Sequence, residues 1–193
     1  PFNMYYMSLS GKLLSKFDVV YGNKTTTPKI EASSSDFHRG YLRGLFDADG
    51  HLEGVSNDKG LSVRLGQSDL KSLKAVQRML LRFGIKSSIR KAKDAGEALL
   101  PDGRGGHKLY PTKESWRLIV SADSVFLFQE CIGFTHTAKK TNLRRGVESK
   151  TRGFYRTKYT ATFKSLTYER FDDVWDLSVS TKKAFDANGL YVH

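Results

Sequence analysis

A helical repeat that ends in two carboxylates constrains the fold of this chain more than any other feature. Apolar residues recur three or four positions apart from Asp36 to about Asp47, and Ser35 or Asp36 can cap the first turn. The pattern therefore predicts a helix of about three turns. The dipeptide Asp49–Gly50 follows as a stop signal, so both Asp47 and Asp49 fall at the C-terminal end of the helix.

The next segments alternate between strand and helix patterns. The stretches HLEGV and LSVRLGQ alternate apolar and polar residues around SNDKG, which is typical of a β-hairpin. A second helix is predicted from Leu70 to Phe83, with Ser68 or Asp69 as its cap and Gly84 as its closing glycine.

A second strand pair and a third helix complete the pattern. IKSSIRKAK and ESWRLIVSA predict two strands, separated by the glycine-rich excursion AGEALLPDGRGGHKLYPT. The third helix runs from about Ser124 to Ile132 and ends at Gly133. This order predicts an α+β fold in which the strands form one antiparallel sheet with the helices on one face.

The charge of the chain indicates a polyanionic partner. There are 32 Lys and Arg residues against 20 Asp and Glu residues, a net charge of +12. Between Lys139 and Lys164, nine Lys or Arg residues stand against one acid. A solvated basic face is one explanation, but the excess favours nucleic acid. The free face of the sheet would present Arg64, Gln67, Arg90 and Arg117, depending on register, and such a ribbon fits the major groove.

Length and composition predict a folded, soluble chain. Its 193 residues can hold one domain and a small second one, and no apolar run is long enough to cross a membrane. A single cysteine, Cys131, excludes an intramolecular disulfide and favours a reducing, cytoplasmic location. The start at Pro1 suggests a chain cut from a longer one.

Residues 42–50, LRGLFDADG, resemble the nine-residue signature of the LAGLIDADG homing endonucleases. Seven of the nine positions match, and Arg43 and Phe46 depart from it. The predicted element order is also that of the family's αββαββα module. The middle of the chain is similar to the endonuclease region of inteins in ribonucleotide reductases, and VWDLSVSTKKAFDANGLYVH resembles the C-terminal splicing blocks of an intein. The resemblance implies an N-terminal segment (1–35), an endonuclease domain (36–150) and a β-rich intein segment (151–193).

The resemblance implies a Mg²⁺-dependent nuclease of double-stranded DNA. Asp49 aligns with the acid that binds the metal, and carboxylate oxygens suit Mg²⁺. Gln67 and either Lys139 or Lys140 occupy the neighbourhoods where the family orders a water network, although ordinary surface roles are an alternative. Asp47 aligns with the acid that belongs to the helix ending, and DADG as a plain helix stop remains an alternative.

The same resemblance implies assembly of two copies on DNA. Gly44 and Ala48, at i and i+4, allow two helix backbones to approach closely. Since only one motif occurs, a homodimer with a pseudo-palindromic target is predicted. Strand and basic-run residues are the expected DNA contacts: Arg64, Arg90, Arg117, Lys140, Arg144 and Arg145.

The C-terminal segment leaves a second function open. His193 aligns with the penultimate histidine of inteins, and Asn188 lies in the matching turn, but Lys183 stands where a histidine is usual. Splicing would require an N-terminal intein fragment as partner; alternatively, the segment is remnant β-structure. A third alternative is a DNA-binding module that has lost cleavage.

Overall fold

The computed structural model describes residues 11–20, 25–55, 60–103, 105–149, 163–173, 185–187 and 190–192. The helices in chain order are α1 (Gly11–Ser15), α2 (Pro28–Glu31), α3 (Ser35–Asp49), α4 (Leu70–Leu81), α5 (Ser124–Cys131) and α6 (Thr137–Glu148). The strands are β1 (Gly50–Glu53), β2 (Ser62–Gln67), β3 (Ser87–Lys93), β4 (Gly96–Pro101), β5 (His107–Thr112), β6 (Ser115–Ser121), β7 (Phe185–Ala187) and β8 (Leu190–Val192).

Four of these strands form one antiparallel sheet in the order β1-β2-β6-β3. The register pairs Gly50 with Leu65, and Arg117 with both Gly66 and Arg90. The predicted α+β class, with helices and antiparallel strand pairs alternating along the chain, is confirmed. The prediction of a domain boundary near residue 150 stays a prediction.

One face of the sheet is buried under the helices. Strand residues at alternate positions, such as Val63 and Leu65 on β2 and Leu118 and Val120 on β6, are fully buried, whereas Arg64 and Ile119 between them are only half-buried. The helices contribute fully buried residues to the same cluster, among them Leu42, Phe46, Leu73, Val76, Met79, Leu80, Val125 and Phe128. The helices that the structure describes therefore leave the opposite face of the sheet uncovered.

Helix α3 is longer than predicted at both ends. Ser34, rather than Ser35 or Asp36, is its N-cap, and the Ser34 hydroxyl accepts a hydrogen bond from the Phe37 backbone N–H. At the other end the helix continues to Asp49, and Gly50 donates its backbone N–H to the carbonyl of Phe46. Asp49 is thus the last helical residue rather than part of a turn beyond the helix.

Two parts of the chain fold in ways that the sequence patterns did not predict. Within the basic run, Thr137–Glu148 forms α6, whose buried positions are only Leu143 and Gly146, too few for a visible apolar stripe. The excursion is not an irregular loop, because β4 and β5 pair as an antiparallel ribbon between β3 and β6. Neither face of this ribbon is buried, so its residues show no apolar–polar alternation.

Candidate nuclease site

The side chain of Asp49 lies at the exposed C-terminal end of α3. Its Oδ2 accepts a hydrogen bond of 2.9 Å from Nε2 of Gln67, the last residue of β2. A carboxylate at this end of a helix faces the negative end of the helix dipole, which is electrostatically unfavourable. The carboxylate therefore contributes nothing favourable to α3 itself, and a neighbouring donor or cation stabilises it.

Lys139 lies at the same end of α3, although it belongs to the first turn of α6. Its Nζ donates hydrogen bonds to the carbonyls of Phe46, at 3.2 Å, and of Asp47, at 2.6 Å. Helix-terminal carbonyls lack partners within the helix, and a cation there interacts favourably with the dipole. Lys139 therefore closes the helix that carries Asp49, which brings both predicted site residues to one place.

Gln67 occupies a different face of the sheet from the one expected. Gln67 lies an even number of residues from the buried Val63 and Leu65 along β2. Its side chain is therefore on the same face as theirs, the helix side of the sheet. The expectation that Gln67 shares the outer face with Arg64 is wrong, because the two residues are three positions apart on one strand and alternation places them on opposite faces. On the helix side, Gln67 is in position to reach Asp49.

Asp47 has a separate role from Asp49. Its carboxylate accepts backbone N–H groups from Thr135, at 3.1 and 3.0 Å, and from His136, at 3.1 Å. These are the two residues directly before α6, whose N-cap is His136. Asp47 therefore ties the end of α3 to the start of the helix that carries Lys139.

A groove of about 440 Å³ runs beside Asp49 between α3 and the start of α4. Besides Asp49 and Gln67, its wall includes Tyr41, Asp69 and Lys113. The last two were missed as candidates from the sequence. Lys113 stands where the excursion returns to β6, and this position next to the end of β2 follows only from the strand pairing.

The register places Arg64, Arg90 and Arg117 on the outer face of the sheet, as expected. Arg64 forms an ion pair with Glu53, and its Nε donates to the Ser62 hydroxyl at 3.0 Å. Arg90 and Arg117 are direct cross-strand neighbours.

His51 lies on the same face, opposite Arg64 in the ladder. Burial lowers its pKa, and the positive charges of Arg117, Arg64 and Lys139 lower it further. The ring therefore takes up a proton less readily than a free histidine would, within a positively charged surface.

The remaining predicted DNA contacts lie on α6, away from the outer face. Gly146 of this helix packs against Leu61, a core residue, which puts α6 on the helix side of the sheet. Lys140 and Arg144 line a second cavity, of about 400 Å³, together with Arg43. Arg145 donates to Asn142 at 3.0 Å, and Arg144 pairs with Glu148 at 3.7 Å.

The predicted helix contact surface is exposed. Gly44 and Ala48 are exposed on α3, and a Cβ added at Gly44 or at Gly40, one turn earlier, would meet no atom within 4 Å. These small residues form a smooth strip along α3 that ends beside Asp49.

One chain supplies few metal ligands at this site. Among the described residues no cluster of three or more His, Cys, Asp or Glu side chains could hold a metal ion. The atoms at the site that could ligate a metal are oxygens, from the Asp49 carboxylate and the Gln67 amide. Such hard ligands suit Mg²⁺.

The C-terminal strands β7 and β8 form an antiparallel pair joined by two residues. Asn188 and His193, the predicted splicing-type residues, lie outside the described residues. No described helix is both long enough and apolar enough to span a bilayer.

Comparisons with known proteins agree with the motif. Residues 36–133, just over half of the chain, match the family described as a LAGLIDADG-like domain. The chain is 29% identical over 182 residues, 92% of its length, to ribonucleoside-diphosphate reductase NrdEB subunit alpha of Bacillus subtilis, of which it covers 17%. It is 34% identical over 106 residues, 53% of its length, to the ribonucleoside-diphosphate reductase large subunit of Invertebrate iridescent virus 6, of which it covers 11%.

A third relative is a different enzyme. The chain is 33% identical over 122 residues, 63% of its length, to the isomerizing glutamine–fructose-6-phosphate aminotransferase of Methanocaldococcus jannaschii, of which it covers 10%. The chain therefore spans less than a fifth of the length of each of these relatives.

Proposed function

The chain belongs to the LAGLIDADG family, and on this premise we propose that it is an intein-derived homing endonuclease. It hydrolyses phosphodiester bonds at specific sites in double-stranded DNA, with a divalent metal held by Asp49. Membership of the family indicates the class of reaction, and the geometry around Asp49 supports the role proposed for each residue of the site.

The observation that carries the proposal is the uncompensated carboxylate of Asp49. It is exposed at the unfavourable end of α3, and among the described residues it has a hydrogen bond to Gln67 and no ion pair. A divalent cation held by this carboxylate would supply positive charge at the point where the DNA phosphate is to be attacked. Mg²⁺ there would activate water and stabilise the leaving 3′ oxygen.

The other site residues have positioning roles in this proposal. Gln67 holds one carboxylate oxygen and so fixes the rotamer of Asp49. Lys139, through its two bonds to α3 carbonyls, presents a positive charge beside the site. Asp47 fixes the start of α6 and thereby the position of Lys139.

A complete centre requires a second copy of the chain. A single Asp49 offers one carboxylate, and the strip of Gly40, Gly44 and Ala48 beside it is free to pack against the same strip of a partner. Two-fold packing of this kind brings two Asp49 carboxylates together, and it predicts a pseudo-palindromic target.

The relatives support an inserted element rather than a reductase domain. Similar segments occur in chains named as a ribonucleotide reductase and as an aminotransferase, two unrelated enzymes, and occupy only 17% and 10% of their lengths. A segment shared by unrelated hosts is expected of a mobile insertion such as an intein.

The test is cleavage of DNA that spans an intein insertion point in ribonucleotide reductase coding sequences. Wild-type protein should cut it with Mg²⁺ and bind without cutting in Ca²⁺ or chelator. Asp49→Asn, which keeps the size of the side chain, should lower the cleavage rate by about a hundredfold or more, as expected when a group acting in the transition state is lost. Asp36→Asn, an exposed acid at the other end of α3, is the matched control. Cleavage by Asp49→Asn at the wild-type rate would refute the metal assignment, and binding without cleavage by the wild type would favour a DNA-binding module.

A second candidate function is protein splicing in trans, favoured by the β7–β8 pair at the position expected of a C-terminal splicing segment. Mixing the chain with an N-terminal intein fragment from a relative would yield a ligated product if the segment is competent. Absence of product in the presence of an intact endonuclease activity would leave the nuclease as the function of the chain.

A further inference from the structure

We propose that Arg117 and Arg90 read guanine bases on the outer face of the sheet and that Arg64 does not. This inference rests on the proposed function and deepens it, because it names the bases that the DNA site contains near its centre.

The register puts Arg117 and Arg90 side by side at the end of the sheet that is nearest to Asp49. Arg117 pairs with Gly66 on β2 and with Arg90 on β3, so the three residues form one row across the sheet. The adjacent residue on β2 is Gln67, which binds Asp49. Asp49 and Gln67 lie on the helix side and the arginine row lies on the outer face, but both are at the same end of the strands. DNA that is bound at Asp49 and continues along the outer face therefore meets this row first.

The electrostatics of the row distinguish it from Arg64. Among the described residues, neither Arg90 nor Arg117 forms an ion pair or a side-chain hydrogen bond, and like charges directly opposite each other destabilise a sheet. The guanidinium of Arg64, by contrast, is held by Glu53 and Ser62. Two arginines are therefore free for an anionic or acceptor-rich partner, and the third is already engaged.

Gly66 leaves space beside Arg117. It is exposed, and a Cβ built on it would meet no atom within 4 Å. Because Gly66 has no side chain, no protein group stands beside Arg117 at this position of β2. The edge of a base pair can therefore approach the sheet closely there.

The position of Arg117 favours base edges over phosphates. It stands on β6, which has β2 on one side and β3 on the other and is thus an interior strand, whereas Arg90 stands on the edge strand β3 and takes part as the direct cross-strand neighbour of Arg117. A ribbon in the major groove presents its middle to base edges, where the fork of an arginine bonds O6 and N7 of guanine. Contacts to phosphate would position the protein without selecting sequence.

The strand spacing gives the approximate place of these guanines. Arg117 and Arg90 lie two and three strands from β1, which follows Asp49 directly. At about 4.8 Å between strands these offsets are about 10 and 14 Å, or about three and four base pairs along DNA. A two-fold dimer would repeat both guanines in the other half-site.

The experiment is selection of bound DNA from a library randomised on both sides of the cleavage site, in Ca²⁺ so that binding is read without cutting. Wild-type protein should enrich guanine at two positions in each half-site. Arg117→Gln and Arg90→Gln should each lose about tenfold of the preference at one of the two positions, the size expected of one bidentate contact. Arg64→Gln, the matched control on the same face, should retain both preferences.

Arg117→Lys separates base reading from charge. It should bind the library with near wild-type affinity but with a reduced preference for guanine, since lysine keeps the charge and loses the fork. The proposal is overturned if Arg117→Gln and Arg90→Gln weaken binding equally for every base, which is the signature of phosphate contacts, or if Arg64→Gln alone changes the preference. If the wild type selects guanine but never cuts DNA, the proposed nuclease activity is refuted and the base-reading role of Arg117 and Arg90 is supported.

Discussion

The glycine that follows Asp49 is fixed by packing rather than by backbone conformation. Its φ of −77° is accessible to any residue, but a Cβ at this position would lie 2.5 Å from the Phe46 carbonyl oxygen and 2.9 Å from a Phe46 ring carbon. Gly50 therefore closes the helix by letting the chain turn against Phe46, which is itself fully buried.

Gly50→Ala should lower the free energy of unfolding by about 1–3 kcal/mol, the usual cost of overpacking. Gly40→Ala is the control in the same helix, since its Cβ would meet no atom within 4 Å. That substitution should raise stability by about 0.5–1 kcal/mol, because it removes backbone freedom from the unfolded chain. Urea unfolding curves of both variants measure the difference, and equal effects at the two glycines would contradict the steric account.

Single residues show how far the sequence could define the site. Only the resemblance of the motif to the family predicted different roles for Asp49 and Asp47, because the spacing of the two acids by itself does not distinguish them. The partner of Asp49 was harder, because Gln67 reaches it only through the pairing of β1 with β2 and the parity of β2. A shift of one residue in register would have turned Gln67 to the other face.

At the scale of elements, Asp47 joins α3 to α6. Its carboxylate is the acceptor for the N–H groups of Thr135 and His136, which precede the first turn of α6. A carboxylate near a helix N-terminus is favourable both as a hydrogen-bond acceptor and toward the helix dipole. The interaction of the Asp47 carboxylate with the start of α6 is therefore more favourable than its interaction with the C-terminal end of its own helix.

Asp47→Ala should destabilise the protein by about 1–2 kcal/mol, the usual loss of a helix cap. It should also speed amide hydrogen exchange in the first turn of α6. Asp36→Ala is the control, because the Asp36 side chain is 91% exposed and pairs with Arg39 only at 3.6 Å; its effect should stay within about 0.5 kcal/mol. If exchange in α6 is unchanged in Asp47→Ala, the link between the helices is not maintained by this carboxylate.

The helices that the sequence predicted are those that bury a stripe of apolar side chains along one face. Helices α3 and α4 each place at least three residues in the core, and Gly50 was visible in the sequence as the residue that closes α3. Helix α4 ends at Leu81 with Arg82 as its C-cap, two residues before the predicted Phe83, and Gly84, at a φ of 73°, follows beyond the cap. Helix α6 and the β4–β5 ribbon bury little, so hydrophobic periodicity carries no signal for them. Contacts with neighbouring parts of the chain position these two elements. Helix α6 packs on Leu61, and the ribbon extends from the paired strands β3 and β6.

At the scale of the whole molecule, the stability of the fold should depend on pH through His38. This residue is fully buried, its Nε2 donates to the Ile30 carbonyl at 2.9 Å, and Arg82 approaches its Nδ1 at 3.4 Å. Burial lowers the pKa of His38 below its usual value of 6.5, and Arg82 lowers it further.

Because the unfolded chain binds a proton at His38 more readily than the folded one, stability should fall as pH drops below about 6.5. Urea unfolding at pH 7.5, 6.5 and 5.5 measures this slope. The variant His38→Gln should be less stable at pH 7.5 and should lose part of the slope between pH 6.5 and 5.5. An identical slope in the variant would show that other groups titrate in this range.

Dimer formation is the other property of the whole molecule that can be tested. Gly44→Leu places a large side chain on the exposed strip of α3, where the monomer has room for it. Sedimentation equilibrium should show a dimer for wild type and at least a tenfold weaker association for the variant, with a monomer at least as stable as the wild type. Lys74→Leu, on an exposed position of α4, is the control and should dimerise normally. A wild type that stays monomeric with and without DNA would refute the assembly.

The β4–β5 ribbon has a consequence for how the chain can vary. It leaves the sheet between β3 and β6, which are already paired with each other, and returns to the same pair. Residues can therefore be added or removed in matched pairs across the ribbon without changing the register of β3 against β6 or the identity of any core side chain. Natural variation in length should concentrate here, and the ribbon offers a point at which a foreign hairpin can be grafted while the rest of the molecule keeps its geometry.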